Sequence, residues 1–458
     1  MNPPSHVQSI QTSSGHLADA SAEDRLAVAI SAVARQSPDR TAIVSGAGAA
    51  PRPIDYGTLA TAITTLESAL DAVRPVGVVV RARRTESLVV IAAACGRQHV
   101  PVAFLAEDSR DLVGELREWV AIDDSLTLAA DPTAPRREFE AVATQIVVAT
   151  SGTSGPPKLV EHSWDSLLAA ARLAEQWHGL GWILVYDATR WAGIQVWLQA
   201  LLTGGRVVVP ASRDPDTVLR AIVEERATVL PATPTLLRRL LASGDRQLLA
   251  KSGVDRITLG GEAADGPLLE QATIAFPAAK ITQVYATTEL GEVFRVSDGR
   301  PGFPANWLGR ALPGGVRLAT RRDGELLVQL SRDSAEVATG DVVERRGDRY
   351  EFAGRRSDVI VVGGTKVLPR RIEEMLRAVV GVADARVYGM PSAITGELVA
   401  AEIVLTDPLP AGSTPDNVRA AARAACREAL EAASVPRILD IVKRITTNPA
   451  GKVPRRSA

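Results

Sequence analysis

Apolar residues recur along the chain in two patterns, one typical of amphipathic helices and one typical of buried strands. Residues 24–36 (DRLAVAISAVARQ) repeat apolar side chains at helical spacing, which predicts a helix. Short apolar runs bounded by turn residues predict buried strands, namely VGVVV (76–80), HVPVAFL (99–105), QIVVAT (145–150), GWILVY (181–186), GGRVVVP (204–210), ATVLPA (227–232) and RITLGG (256–261). Because helical patterns lie between most of these runs, the sequence predicts layered α/β subdomains with largely parallel sheets.

The pattern changes after about Gly354. Residues 358–390 predict a strand, a loop, a helix and a second strand. Further predicted elements are a strand at 397–406, a helix at 414–430 and a strand at 437–445. A block of about a hundred residues with its own strands and helices is typical of a small separate domain.

We therefore expect an α/β protein with a large N-terminal domain and a small, mobile α+β C-terminal domain. The predicted boundaries give a flexible polar N-terminus at 1–23, a large domain at 24–356 and a small domain at 357–458.

Composition narrows the function without identifying it. The 458 residues are 46% hydrophobic and 23% charged with a formal net charge of −1, which gives no electrostatic argument for nucleic acid or an anionic membrane. The two cysteines, Cys95 and Cys426, lie far apart, and they argue against a disulfide framework or a structural zinc site. The first residues lack the pattern of a secretory signal, and no apolar run reaches transmembrane length. We expect a cytoplasmic protein.

One loop carries the first candidate chemistry. In IVVATSGTSGPPKLVEHSW (146–164), a strand-like run leads into small and hydroxylic residues and then Lys158. Small residues let backbone N–H groups approach an anion, and a lysine can hold a phosphate as a point charge. A flexible surface loop has the same composition, so the loop alone leaves both interpretations open.

Polar residues follow three other predicted strands. QVYATTELG (283–291) ends in Glu289, which could hold Mg²⁺, although glutamates in turns are usually solvated. TLGGEAA (258–264) leads into a glycine turn that would let a flat ring lie against the backbone. The predicted hairpin at 338–358 places Asp341 where it could accept two ribose hydroxyls or form an Asx turn.

These segments, in this order, resemble the adenylate-forming (ANL) superfamily of AMP-dependent synthetases and ligases. That superfamily contains acyl- and aryl-CoA synthetases, adenylation domains of non-ribosomal peptide synthesis, and luciferases. The resemblance covers about Asp24 to Arg456. TSGTSGPPK resembles its phosphate loop, YATTE its Tyr-Gly-x-Thr-Glu segment, TGD its ribose-binding aspartate, GRRSDVIVVGGTKVLPRRIEE its hinge region, and NPAGKVPR its terminal segment.

The resemblance implies a reaction in two halves. A carboxylate attacks the α-phosphate of MgATP to give an acyl-adenylate and pyrophosphate, and the C-terminal domain then turns so that a second nucleophile takes the acyl group. Lys452 would stabilise charge in the first half, Thr288 would contact the phosphate, and Glu289 would hold the metal. Lys158 would bind phosphate together with the loop residues Thr150, Ser151, Gly152, Thr153, Ser154 and Gly155.

The remaining assignments also come from the resemblance. The adenine would be framed by Gly261, Glu262 and Tyr285, whereas Asp341 and Arg355 would bind the ribose. Ser357 would be the hinge, and Lys366 would face the site in the second half-reaction.

The chain departs from the family pattern in several places. Ala286 and Leu159 each replace a glycine, and Asp341 lies only 52 positions after Glu289. None of these changes removes a group that the adenylation chemistry needs.

The predicted acid pocket comprises Asp187, Arg190 and Gly193. Arg190 occupies the position of the usual histidine, and a guanidinium suits a polar or anionic substrate. Alternatively, Arg190 pairs with Asp187 or points to solvent. Asp187 lies 17 residues before Gly204, which is too many for the aspartate of peptide-synthesis adenylation domains.

The preferred hypothesis is an ATP-dependent ligase that activates a small carboxylic acid, aromatic or polar, and transfers it to CoA, with ATP and Mg²⁺ required. Alternatives are a stand-alone enzyme that loads a carrier protein, a nitrite-using diazotase of secondary metabolism, and a non-catalytic nucleotide-binding relative. The last ranks lowest because Lys452 and Glu289 are both present. Neither nucleic acid nor a membrane is expected as a partner.

Overall fold

The computed structural model describes residues 19–116, 118–128, 145–150, 157–243, 249–250 and 252–446. Most of the predicted N-terminal segment lies outside the described residues, and so does Lys452. The same holds for five residues of the predicted phosphate loop, Ser151, Gly152, Thr153, Ser154 and Gly155.

Ten α-helices are found in the described part of the chain. They are α1 (Arg25–Gln36), α2 (Tyr56–Val73), α3 (Thr85–Arg97), α4 (Trp164–Leu168), α5 (Trp191–Leu202), α6 (Pro215–Glu224), α7 (Pro234–Ser243), α8 (Gly266–Ala275), α9 (Pro369–Ala378) and α10 (Pro415–Ala429). Several helices begin with a side-chain N-cap. The Asp55 carboxylate accepts a hydrogen bond from the Thr58 backbone at the start of α2, and Asp265 accepts one from the Leu268 backbone at the start of α8. The helix predicted at 24–36 is confirmed as α1.

The described residues form two compact units. The first consists of the described part of Met1–Thr150 with Pro157–Pro231 and Ser252–Val254, and the second of the described part of Ala232–Lys251 with Asp255–Ala458. This division does not follow the predicted boundary between residues 356 and 357, because the chain on both sides of that point belongs to the second unit.

The first unit is built on two sheets. Their strands are β1 (Thr41–Ala47), β2 (Arg52–Asp55), β3 (Val78–Val80), β4 (Val102–Phe104), β5 (Val120–Ile122), β6 (Gln145–Ala149), β7 (Leu159–Ser163), β8 (Gly181–Ile183), β9 (Arg206–Pro210) and β10 (Val229–Ala232). One sheet runs in the order β10-β8-β9-β1-β2, and the other β5-β3-β4-β6-β7. Among these described strands, only β1–β2 and β6–β7 pair antiparallel.

Parallel pairing explains the continuous apolar runs in the sequence. Such strands are covered on both faces and carry no polar alternation. Val78, Val102 and Ile146 are fully buried, and so is Trp197 on α5, which packs into the same core. The predicted parallel α/β subdomains are therefore confirmed here.

The second unit contains the remaining strands. They are β11 (Arg256–Gly260), β12 (Lys280–Thr287), β13 (Gly291–Val296), β14 (Phe303–Pro304), β15 (Arg317–Thr320), β16 (Glu325–Gln329), β17 (Val337–Arg346), β18 (Arg349–Arg355), β19 (Ile360–Val362), β20 (Thr365–Val367), β21 (Val382–Ser392), β22 (Gly396–Leu405) and β23 (Ile438–Ile441).

Three groups of these strands can be distinguished. β11 pairs parallel with β12, which pairs antiparallel with β13. An antiparallel sheet has the order β14-β18-β17-β16-β15. The last sheet has the order β20-β19-β22-β21, with β23 added parallel to β22, and α9 and α10 supply Leu376 and Val418 to its core.

A cluster of largely buried charges joins elements from before and after residue 357. Arg238 of α7 contacts Asp265 at 2.7 Å, and Arg377 of α9 lies 3.4 Å from Asp265 and 3.7 Å from Asp384. Burial would raise the pKa of Asp265, but the charges of Arg238 and Arg377 outweigh it and lower that pKa. For Asp384, burial dominates and raises the pKa. These side chains pack α9 and β21 against α7 and the start of α8.

Helix lengths and hydropathy also bear on membrane insertion. Across the described ranges, no helix combines the length and the apolar character needed to cross a bilayer.

Candidate functional site

The second unit brings together three residues that the sequence predicted for nucleotide binding. Asp341 of β17 stands opposite Arg355 of β18 in the antiparallel ladder. The Tyr285 hydroxyl donates to Asp341 Oδ2 at 2.7 Å, and Arg355 Nε donates to Asp341 Oδ1 at 3.0 Å. Both carboxylate oxygens are thus engaged, so the orientation of Asp341 is well determined.

The bulge in β17 just before Asp341 is held by its own hydrogen bonds. The Thr339 hydroxyl donates to the Leu326 carbonyl at 2.8 Å and accepts from the Asp341 backbone at 3.1 Å. Gly340 between them has φ of +74°, a left-handed conformation that a residue with a Cβ rarely adopts. The Thr-Gly-Asp triplet is therefore a bulge inside β17, and it presents Asp341 where β17 begins to pair with β18.

Tyr285 lies in an aromatic cluster. Its ring packs nearly parallel to Phe294 at 5.0 Å and to Phe352 at 4.9 Å between ring centroids. Burial raises the pKa of the Tyr285 hydroxyl, and the neighbouring Asp341 charge raises it further, so the phenol stays protonated and acts as a donor. The role of this ring in framing an adenine stays a prediction, and in this structure the ring stacks on Phe294 and Phe352.

Thr288 and Glu289 follow Tyr285 on the turn between β12 and β13. Glu289 is exposed, and no hydrogen bond or ion pair ties it to another residue in the described ranges. Those ranges also contain no group of three His, Cys, Asp or Glu side chains arranged for a metal. A lone exposed carboxylate suits Mg²⁺, which takes one or two protein carboxylates and completes its shell with water and phosphate oxygens.

Gly261 and Glu262 follow β11. Gly261 has φ of +80°, which favours glycine at this turn. Glu262 Oε2 accepts hydrogen bonds from the Thr235 backbone at 3.1 Å and the Thr235 hydroxyl at 2.6 Å. Glu262 therefore anchors the first turn of α7, a role that the sequence did not suggest and that occupies one carboxylate oxygen.

In the first unit, Thr150 and Lys158 close the predicted phosphate loop. β6 and β7 pair up to Ala149 and Leu159, and the Thr150 backbone then donates to the Lys158 carbonyl at 2.8 Å. The Thr150 hydroxyl accepts from the Lys158 backbone at 2.9 Å. Lys158 is exposed.

The predicted acid-pocket residues do not share one environment. Asp187 accepts hydrogen bonds from the Thr189 backbone at 2.9 Å and the Thr189 hydroxyl at 2.7 Å, and it lines a cavity of about 690 Å³. This cavity lies beyond the carboxyl ends of β3, β4, β8 and β9. It has apolar walls, including Leu105 and Val209, and arginines such as Arg81 and Arg213 in its lining.

Arg190 is buried and does not line that cavity. Its guanidinium pairs with Asp108 and donates to the Ala149 carbonyl at 3.3 Å. The suggested pairing with Asp187 is therefore wrong. Asp108 could not be identified from the sequence as the partner, because the two residues lie 82 positions apart.

Gly193, in the first turn of α5, is needed for packing. A Cβ at this position would lie 2.0 Å from the Asp187 carbonyl oxygen. Glycine thus allows α5 to approach the loop that carries Asp187.

Ser357 lies in a single 3-10 turn, Arg356–Asp358, which connects β18 with β19. Its hydroxyl donates to Asp358 at 3.1 Å, whereas Arg356 reaches back to Asp323 and Glu325. Lys366 is exposed next to the two-glycine turn between β19 and β20.

The sequence analysis did not identify Glu325. The signal was present, because an acidic residue at the start of a buried strand is unusual.

Comparisons with known proteins agree with this architecture. The family model described as AMP-binding enzyme matches residues 44–329, and the model described as AMP-binding enzyme C-terminal domain matches residues 371–452. The chain is 29% identical over 363 residues to 3-[(3aS,4S,7aS)-7a-methyl-1,5-dioxo-octahydro-1H-inden-4-yl]propanoyl:CoA ligase of Rhodococcus jostii, covering 72% of this chain and 68% of that protein.

Two further matches extend the comparison. A 2-succinylbenzoate--CoA ligase of Bacillus licheniformis is 24% identical over 375 residues, with 75% of each chain covered. The crystal structure of ATP-bound MatB from Rhodopseudomonas palustris superposes with a TM-score of 0.70 at 20% identity, covering 94% of this chain and 97% of that one. The family model spans well over half of the 458 residues, and the chain therefore belongs to the AMP-binding enzymes of the adenylate-forming superfamily.

Proposed function

We propose that this enzyme activates a carboxylic acid with MgATP, releasing pyrophosphate, and transfers the acyl group from the acyl-adenylate to CoA. The observation that carries the proposal is the pairing of Asp341 with Arg355 and with Tyr285 of β12, the strand that is followed directly by Thr288 and Glu289. The relatives named above are CoA ligases of acids that contain rings, which supports a ring-bearing acid and CoA as the substrates.

Each residue has a role that its position allows. The Asp341 carboxylate would accept the ribose hydroxyls, and Arg355 and Tyr285 keep it in place. Thr288 would donate to the α-phosphate. Mg²⁺, held by Glu289, would offset negative charge on the phosphates. Lys158 and Lys452 would supply positive charge as the carboxylate attacks and pyrophosphate leaves, and Ser357 would lie at the pivot between the two half-reactions.

Lys158→Ala is expected to raise the Michaelis constant for ATP about tenfold, because one charge-assisted contact to phosphate is lost. The thermal midpoint should stay close to that of the wild type, since the side chain is exposed. Lys280→Ala, which removes another exposed lysine, is the matched control. A large loss of stability with normal ATP kinetics would show that Lys158 is structural.

A screen of acids tests the proposed function directly. Pyrophosphate release would be measured with MgATP and each acid, with and without CoA, starting with ring-bearing and dicarboxylic acids. We expect acid-dependent pyrophosphate release and, when CoA is present, an acyl-CoA product. Pyrophosphate release without acyl-CoA formation would redirect the search to carrier-protein or nitrogen acceptors. If the protein bound ATP but released no pyrophosphate with any of the acids, the proposed function would be contradicted.

A further inference from the structure

The antiparallel sheet of β14–β18 is joined to the last sheet by one short turn, Arg356–Asp358. Arg356 in this turn is half exposed, but its guanidinium folds back onto β16. Its Nη1 donates to Glu325 Oε2 at 3.0 Å and also contacts Asp323. The connection is thus tied to the first residue of β16.

The same carboxylate holds the β17 bulge that presents Asp341. Glu325 Oε1 accepts a hydrogen bond from the Gly340 backbone at 3.2 Å, one residue before Asp341. The third contact of Glu325 is with Arg321, whose Nη1 donates to Oε2 at 2.7 Å. One carboxylate therefore contacts the connecting turn, the Thr-Gly-Asp bulge of β17 and a neighbouring arginine.

The burial of Glu325 fixes the positions of the groups that it contacts. The Glu325 side chain is only 6% exposed, whereas Arg321 and Arg356 are about half exposed, at 53% and 49%. A buried carboxylate must be balanced by hydrogen bonds and opposite charge, so its position dictates where its partners lie. The exposed arginines could each leave, but Glu325 cannot become solvated without disturbing the start of β16.

We propose that Glu325 is a positioning residue that sets Asp341 for nucleotide binding through Gly340 and restrains the connecting turn through Arg356. This inference rests on the proposed function, because it takes Asp341 as the ribose ligand and residues 356–358 as the pivot. It predicts that one side chain influences both ATP affinity and the balance between adenylation and acyl transfer, through two contacts that can be removed separately.

Four variants separate the contacts. Glu325→Ala removes all of them, and Glu325→Asp keeps the charge but shortens the reach to Gly340. Glu325→Gln keeps an oxygen for Gly340 but removes the charge that Arg356 needs. Arg356→Ala leaves the Gly340 contact in place and removes the contacts that the connecting turn makes with Glu325 and Asp323. Arg321→Ala is the matched control, because it is an equally exposed arginine on the same carboxylate oxygen.

The expected results differ between the variants. Glu325→Ala and Glu325→Asp should weaken binding of AMP about tenfold by calorimetry and raise the Michaelis constant for ATP equally, because Asp341 loses its support. Glu325→Gln and Arg356→Ala should leave AMP affinity close to wild type but change the ratio of acyl transfer to adenylation by about threefold or more, as expected for loss of a half-exposed ion pair. Arg321→Ala should change neither quantity.

The proposal is overturned if Arg321→Ala matches Glu325→Ala in both quantities, since Glu325 would then act only through stability. It is also overturned if Arg356→Ala leaves the ratio unchanged, or if Glu325→Asp binds AMP like the wild type. Should Glu325→Ala fail to fold, the Asp and Gln variants decide the two contacts. AMP affinity does not depend on the acid, so a failure of the proposed function would appear in the acid screen while the Gly340 contact could still be measured.

Discussion

Replacement of Lys452 by alanine is expected to lower acid-dependent pyrophosphate release about 100-fold or more, as loss of one preorganised charge in a transition state commonly does. Lys452 lies outside the described residues, and its role follows from the resemblance of NPAGKVPR to the terminal segment of the superfamily. The physical reason is the negative charge that builds up between the attacking carboxylate and the α-phosphate, which a nearby ammonium group stabilises.

The measurement for Lys452 separates the two half-reactions. Pyrophosphate release reports adenylation, and acyl transfer is started with pre-formed acyl-adenylate, which should react normally in the variant. Lys443→Ala is the matched control, because it removes an exposed lysine nine residues earlier. Normal pyrophosphate release by Lys452→Ala would exclude the assignment, and an equal loss in both half-reactions would indicate a structural role.

Asp341→Ala is expected to raise the Michaelis constant for ATP about 10- to 100-fold, which corresponds to the loss of hydrogen bonds to a charged acceptor. The substitution removes the ribose acceptor, and it leaves the buried Tyr285 hydroxyl and Arg355 without the carboxylate that both contact. Asp341→Asn keeps an oxygen acceptor for Tyr285 and should lose less stability than Asp341→Ala.

The test for Asp341 requires initial rates over a range of ATP concentrations together with thermal midpoints. Asp348→Ala is the control at the opposite end of the same hairpin, where Asp348 pairs with Arg300 and is 71% exposed. If Asp341→Ala and Asp348→Ala gave the same Michaelis constant, Asp341 would not be a nucleotide ligand. If Asp341→Ala lowered the thermal midpoint without changing the ATP kinetics, the role of Asp341 would be structural, as the hydrogen-bond partner of Tyr285.

The acid site is less well defined than the nucleotide site. Arg190 was expected near the acid because of its place in the sequence, but its guanidinium forms an ion pair with Asp108 inside the first unit. Gly193 serves the packing of α5, whereas Asp187 does face a cavity. Charge on an arginine therefore indicates an anionic substrate only when the side chain has no partner within the protein.

The sequence by itself determined the family, the α/β class and the order of the segments that carry nucleotide chemistry. These are local properties: buried parallel strands read as continuous apolar runs, and a strand followed by glycine, hydroxyl and charged residues identifies a turn whatever lies around it. The strands at 145–150, 204–210 and 256–261 were predicted to within one or two residues for this reason.

The tertiary structure alone decided which charges are available for chemistry. Glu262 accepts a hydrogen bond from Thr235, and Arg190 forms an ion pair with Asp108. Glu325 is bonded to Gly340 and Arg356, which lie 15 and 31 positions further along the chain. Tyr285 stacks on two rings contributed by other strands. A buried polar group is satisfied by whatever the fold brings within about 3 Å, and that neighbour can lie at any distance along the sequence.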